Sequence, residues 1–220
     1  SISKYKDLMD DFIKLIDIPN INKFGKAIDY EILLEQSFSG FGDADLIIII
    51  HYKNPDHKKV LFVEGKVITF QLKSWSLEKQ FIKYDIGGNY PGYSSNLFYQ
   101  LYLKYLLFDN KKDIKWADDK IVNWNKFSVY CGVRNRKIGK NEIVWKALKK
   151  IVECDEAYYI GLIPTTNQKN ELYNEKLDYN IHFLYWEDVH KFCDQNEDRL
   201  KPVLNVFEYN KGQIYRNIKK

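Results

Sequence analysis

Cysteine is scarce in this chain. Cys131, Cys154 and Cys193 lie scattered through 220 residues and form no CxxC pair. A disulfide framework and a cysteine-based zinc site are therefore excluded as organising devices. The four histidines, His51, His57, His182 and His190, show no zinc spacing with the cysteines. Arginine is confined to Arg134, Arg136, Arg199 and Arg216, so lysine carries the positive charge. The net charge is only +4 and the isoelectric point is near 8.7. That balance suits a polyanionic partner without requiring one. An A+T-rich genome would give the same abundance of Lys, Ile, Asn and Tyr, so total lysine carries little information. No apolar run approaches the roughly 20 residues that a membrane span needs, and no signal-peptide pattern opens the chain. The expected location is cytoplasmic, with no membrane partner.

What is present points to a folded core. Hydrophobic residues make up 45% of the chain and aromatic residues 16%, which separates it from disordered sequences. Its length suffices for one sizeable domain. No repeat, low-complexity segment or convincing boundary divides it, so residues 1–220 are expected to form a single domain.

Two apolar runs each carry an acid at a matching end. They are Asp43-Ala44-Asp45-Leu46-Ile47-Ile48-Ile49-Ile50 and Val60-Leu61-Phe62-Val63-Glu64-Gly65-Lys66. Lys53-Asn54-Pro55-Asp56 between them is a turn signal. A hairpin folded about Asn54 and Pro55 sets Asp45 opposite Glu64. Strand alternation then puts Glu64 and Lys66 on one face. Both runs are apolar on both faces, which predicts a buried central strand pair rather than a surface hairpin with a solvated ion pair. Two carboxylates and an ammonium at the end of an oily hairpin are costly to bury without purpose, and a divalent metal would supply one.

Asp45 followed on the next strand by Glu64-x-Lys66 resembles the PD-(D/E)XK nuclease superfamily, over a core of about residues 30–133. Ala44 stands where the family name has Pro. The resemblance implies a restriction-endonuclease-like α/β core and Mg²⁺ held by Asp45, Glu64 and the Gly65 carbonyl, with Mn²⁺ as a substitute. It implies that Lys66 orients or activates the attacking water. It also implies a nucleic-acid substrate, DNA ahead of RNA, and allows a homodimer. A polar residue on the helix after the ExK strand often reaches such sites; Gln100 fits that place, or is an ordinary polar helix position. An accessory acid is also common. Asp7, Asp10 and Asp11 lie on the first predicted helix and Glu31 and Glu35 on the next strand, with Glu35 ranked first. The turn at Ser39–Gly42 leaves open which face Glu35 takes. Asp43 shares the Asp45 face and is the alternative ligand. The expected activity is Mg²⁺-dependent endonuclease hydrolysis; the alternative is a non-catalytic binding or interaction module on the same fold.

The remaining pattern predicts a mixed sheet with helices on both faces. Helices are expected over 3–16, 74–83, 95–108 and 141–153, and from Trp186. Strands are expected over 28–38, 127–133, 157–163 and 181–185, with residues 67–72 extending the Glu64 strand. Residues 134–220 add helix–strand elements to the core. Residues 84–93 read as a Gly- and Tyr-rich loop, either plainly mobile or a lid whose tyrosines stack on bases. Residues 164–178 read as a polar loop, and 203–209 with 213–218 as a closing hairpin. Arg134, Arg136, Lys137 and Lys140 form the densest basic segment, a candidate phosphate contact or a solvated loop. No helix-turn-helix or zinc finger accompanies it.

Overall fold

The computed structural model describes residues 5–38, 41–53, 56–68, 75–87, 95–113, 116–117, 120–121, 142–164 and 172–214. The chain opens with helix α1 (Lys6–Lys14), followed by strands β1 (Ala27–Ser37), β2 (Asp43–Tyr52) and β3 (His57–Gly65). Helices α2 (Leu77–Gly87) and α3 (Leu97–Asp109) come next, then a 3-10 turn at Lys111–Asp113 and a two-residue ladder of β4 (Trp116–Ala117) with β5 (Lys120–Ile121). The second half holds α4 (Glu142–Val152), β6 (Glu156–Ile163), α5 (Leu172–Lys176), β7 (Ile181–Tyr185), α6 (Trp186–Gln195) and α7 (Glu197–Ile214).

The main sheet runs β1-β2-β3-β6-β7. β1, β2 and β3 form an antiparallel meander, while β3–β6 and β6–β7 are parallel. This is a mixed α/β sheet, as expected. Period-two alternation sends Ile47, Ile49, Val60 and Phe62 to one face, where they pack with Phe81, Phe98, Leu101 and Leu148 of the helices α2, α3 and α4. It sends Ile48, Ile50, Leu61 and Val63 to the other, against Leu8, Phe192 and Phe207 of α1, α6 and α7. Burial on both faces is what the continuous apolar runs require. Among the described residues no helix is long and apolar enough to cross a membrane.

Several expectations are corrected. β3 ends at Gly65, and Val67 and Ile68 do not extend it; residues 69–72 of the expected extension lie outside the described set. The Lys66 N–H donates to Leu162 O at 2.9 Å. Tyr84–Gly87 are not loop but the last turn of α2; residues 88–94 lie outside the described set. Asn96, not Ser94 or Ser95, caps α3, accepting the Tyr99 N–H at 3.1 Å. On α4 the buried stripe is Val144, Ala147, Leu148 and Ile151, and Ile143 is 71% exposed. The expected polar loop at 164–178 contains α5, whose Tyr173 is buried among Phe81 and Phe98. Residues 203–214 of the expected closing hairpin belong to the single helix α7, which runs through Pro202; residues 215–218 lie outside the described set. Leu204 and Phe207 bury at helical spacing while Val203 and Val206 face solvent, so the period is helical despite the β-formers. The expected strand 127–133 and the basic residues Arg134, Arg136, Lys137 and Lys140 lie outside the described residues.

Leu61 sits at the centre of β3 with no exposed surface, whereas Leu34 on the edge strand is 71% exposed. Leu61→Ala should cost about 2–5 kcal/mol and Leu34→Ala less than about 0.5 kcal/mol. Urea denaturation of the two variants measures both, and equal losses would contradict the sheet order.

Candidate functional site

The site grows out of the β2–β3 register. Leu46 pairs with Val63 and Ile47 with Phe62; one further step sets Asp45 opposite Glu64. The two strands are tied there by the Gly65 N–H, which donates to Asp45 Oδ2 at 2.7 Å. Asp45 is solvent-exposed. Glu64 is 1% exposed, on the face covered by α3. On its far side Glu64 pairs with Gly161 of β6. The missing side chain there lets Leu97 and Phe183 approach within 3.2 Å of where a Cβ would stand, so apolar groups close in beside the carboxylate.

Lys66 lies just beyond the strand. Its Nζ donates to Gln100 Oε1 at 2.5 Å and stands 3.5 Å from Glu64 Oε1. Its carbonyl accepts the Trp186 indole N–H at 2.8 Å. With the bond from its own N–H to Leu162, both main-chain polar groups of Lys66 are fixed. Gln100 therefore does project to the acids, as a holder of the lysine. Asp45, Glu64, Gly65, Lys66 and Gln100 are brought together. Glu35 is not. Its place between the pairs Leu34–Leu46 and Gln36–Ala44 is beside Asp45, but its backbone turns to φ 47° and its side chain is exposed. It forms no hydrogen bond or ion pair with the described residues. Asp43 is also exposed, and what it contributes is its carbonyl.

Lys104 is the residue that sequence reasoning missed. It sits one helical turn after Gln100 with no exposed surface, and its Nζ donates to Phe41 O at 2.8 Å and Asp43 O at 3.2 Å. The available signal was a charge inside a helix that is apolar all round, since Phe98, Tyr99, Leu101, Leu103 and Leu107 are also buried.

Electrostatics follow from burial. Desolvation pushes the Glu64 carboxyl up to about 7, against the pull of Lys104 first and Lys66 second, with Asp45 adding to the rise. Desolvation likewise pushes the Lys104 ammonium down to about 8, with Glu64 its strongest support. Lys104 acts through charge alone, from a position sealed from water where charges are least screened, and Lys66 through both charge and a hydrogen bond.

Two carboxylates on neighbouring strands, one buried and one open, are the hard oxygen donors that Mg²⁺ takes, and a divalent cation would relieve the burial of Glu64. Among the described residues no three His, Cys, Asp or Glu side chains converge. The site thus offers two carboxylates and main-chain oxygen, leaving most of an octahedral shell to water or substrate. No protein-family model, curated protein or solved structure matches the chain.

The raised Glu64 value fixes the sign of a pH effect. Its folded value lies above the ordinary 4.5, so the stability it contributes is fully present below about 4.5 and is lost as pH rises through about 7. Relative to Glu64→Gln, the wild type should lose up to about 3 kcal/mol across that window, at about 1.36 kcal/mol per tenfold change in proton affinity. Denaturant titrations at a series of pH values check this, and parallel curves for the two proteins would show that Glu64 titrates normally.

Proposed function

We propose that this chain is a Mg²⁺-dependent nuclease that hydrolyses phosphodiester bonds of nucleic acid, DNA ahead of RNA, on a restriction-endonuclease-like core. The observation that carries this reading is the convergence of Asp45, Glu64, Lys66 and Gln100 at one end of the sheet. Asp45 and Glu64 would hold the cation, with the Gly65 carbonyl as a third donor and Mn²⁺ as a substitute. The chemistry a divalent cation supplies is polarisation of a phosphoryl oxygen and activation of water. Glu64, set between two lysines, can take the ionised form that a cation demands. Lys66 is held by Gln100 through its ammonium and by Leu162 and Trp186 through its backbone. So fixed, it can neutralise charge developing on the attacked phosphate without reorganising. Asp45, on the exposed side of the pair, keeps the site open to a polymeric substrate.

Cleavage of plasmid and of single-stranded oligonucleotides should require Mg²⁺ or Mn²⁺ and stop in EDTA. Lys66→Ala should lower the rate by about 10²–10³-fold. It should leave substrate binding nearly intact, since one phosphate contact is a small part of the electrostatic footprint. Full activity in EDTA, or a wild-type rate in Lys66→Ala, overturns the reading. Binding without cleavage favours the non-catalytic module.

Metal binding has its own readout in stability. A ligand that binds only the folded state adds about 2.7 kcal/mol at a hundredfold excess over Kd. Mn²⁺ should therefore raise the melting temperature of the wild type, and most of the gain should vanish in Asp45→Asn and in Glu64→Gln. An equal rise in all three would place the metal elsewhere.

A further inference from the structure

We propose that Lys104 is a positioning residue of this site, one that sets Asp45 against Glu64 by clamping the chain where it enters β2. The inference rests on the nuclease reading for its purpose and on geometry for its content. The chain entering β2 makes a tight turn, with the Phe38 N–H donating to Gly42 O at 3.1 Å and the Phe41 N–H to Phe38 O at 3.2 Å. Lys104 reaches into that turn from α3. Its ammonium bridges two carbonyls two residues apart, Phe41 O and Asp43 O. Gly42, between them, has φ 71°, and a Cβ there would stand 3.3 Å from Nζ. The turn is thus shaped around the ammonium, and a side chain at Gly42 would press on it.

The consequence falls on Asp45, two residues further along the same strand. β2 is ladder-bonded to β3 from Leu46 onward. Ahead of that point β2 is still paired with β1, at Ala44 and Asp43; on the side of β3 and α3 it is held by the tie from the Gly65 N–H to Asp45 and by the Lys104 clamp. α3 therefore governs both sides of the acid pair from one buried face. Gln100 holds Lys66 on the β3 side, and Lys104 holds the entry to Asp45 on the β2 side. The two residues are one turn apart, so helix geometry fixes their spacing. An apolar residue at 104 would fill the volume equally well. It would take away the donor that the buried Phe41 O and the part-buried Asp43 O share, and with it the tie from the strand entry to α3.

The test reads Asp45 directly, without metal or substrate. The Gly65 amide proton reports its bond to the Asp45 carboxylate, and Asp45→Asn supplies the reference for a weakened bond. In Lys104→Met the Gly65 amide resonance should move most of the way to its position in Asp45→Asn. The Kd for Mn²⁺, measured by calorimetry, should rise about tenfold. Lys104→Arg, which retains a cation and its donors, should recover part of both. Phe207→Leu, in the opposite core, controls for general loosening and should leave the amide in place. If Lys104→Met does not fold, Lys104→Gln decides alone, since its shorter amide cannot bridge both carbonyls and should shift the Gly65 amide in the same direction. An unmoved Gly65 amide in the folded variant, or an equal shift in Phe207→Leu, overturns the positioning role. Absence of Mn²⁺ binding by the wild type, with the amide shifting as expected, overturns the nuclease reading and leaves the clamp standing.

Discussion

A carboxylate held out of water at the end of a central strand is the constraint that organises this protein. Burying an ion costs several kcal/mol even after relaxation, and only well-placed opposite charge offsets it. Around Glu64 the fold supplies two lysines from different elements, and they act differently. Lys66 follows directly on the same strand, stays partly open and is steered by Gln100. Lys104 comes from the covering helix, is sealed, and spends its hydrogen bonds on backbone carbonyls. Among the described residues, Glu64 is left with attraction from both and a direct ion pair only to Lys66, at 3.5 Å. In the proposed reading, a further cation would answer the charge that these two lysines leave open.

A contrast at the opposite end of β3 shows that burial of lysine need not mean this. Lys59 is also without exposed surface. Its ammonium reaches Glu156 at 3.1 Å, donates to Ile21 O at 3.1 Å and lies over the rings of Phe24, Tyr52 and Tyr158. There the charge is answered within its own cluster, with a carboxylate, carbonyls and aromatic faces all in contact. One strand therefore carries a closed charge network at its start and an open one at its end. The open one faces the exposed acid Asp45.

The central hairpin was legible because its signals agree. Equal distances from the turn to Asp45 and Glu64 fix their pairing, and apolar runs of matching length fix the burial. The α/β class followed from the order of elements. Where signals conflicted, reading failed. Val203, Val206 and Tyr209 favour strand by type, yet they are the exposed side of α7, whose buried Leu204 and Phe207 set the true period. Glu35 could not be placed because the register depended on a turn of unknown geometry, and the answer is a backbone excursion to positive φ that no periodicity encodes. Lys104 is invisible to pairwise spacing, since its partners are carbonyl oxygens more than sixty residues earlier, which carry no side-chain identity.

The connectivity of β3 also sets an order of events for the folding chain. Its pairing with β2 closes a short loop, whereas its pairing with β6 must wait for α2, α3, α4 and everything between them. Local hairpins form fast, and distant parallel pairs are delayed by the entropy of closing a long loop. Asp45, Glu64, Lys66, Gln100 and Lys104 all leave synthesis before β6 and β7 do. Leu162 and Trp186, which fasten the backbone of Lys66, arrive in the second half. A growing chain thus carries its charged residues well before the tether that aligns the lysine, and docking of β6 and β7 completes the site at the end of folding.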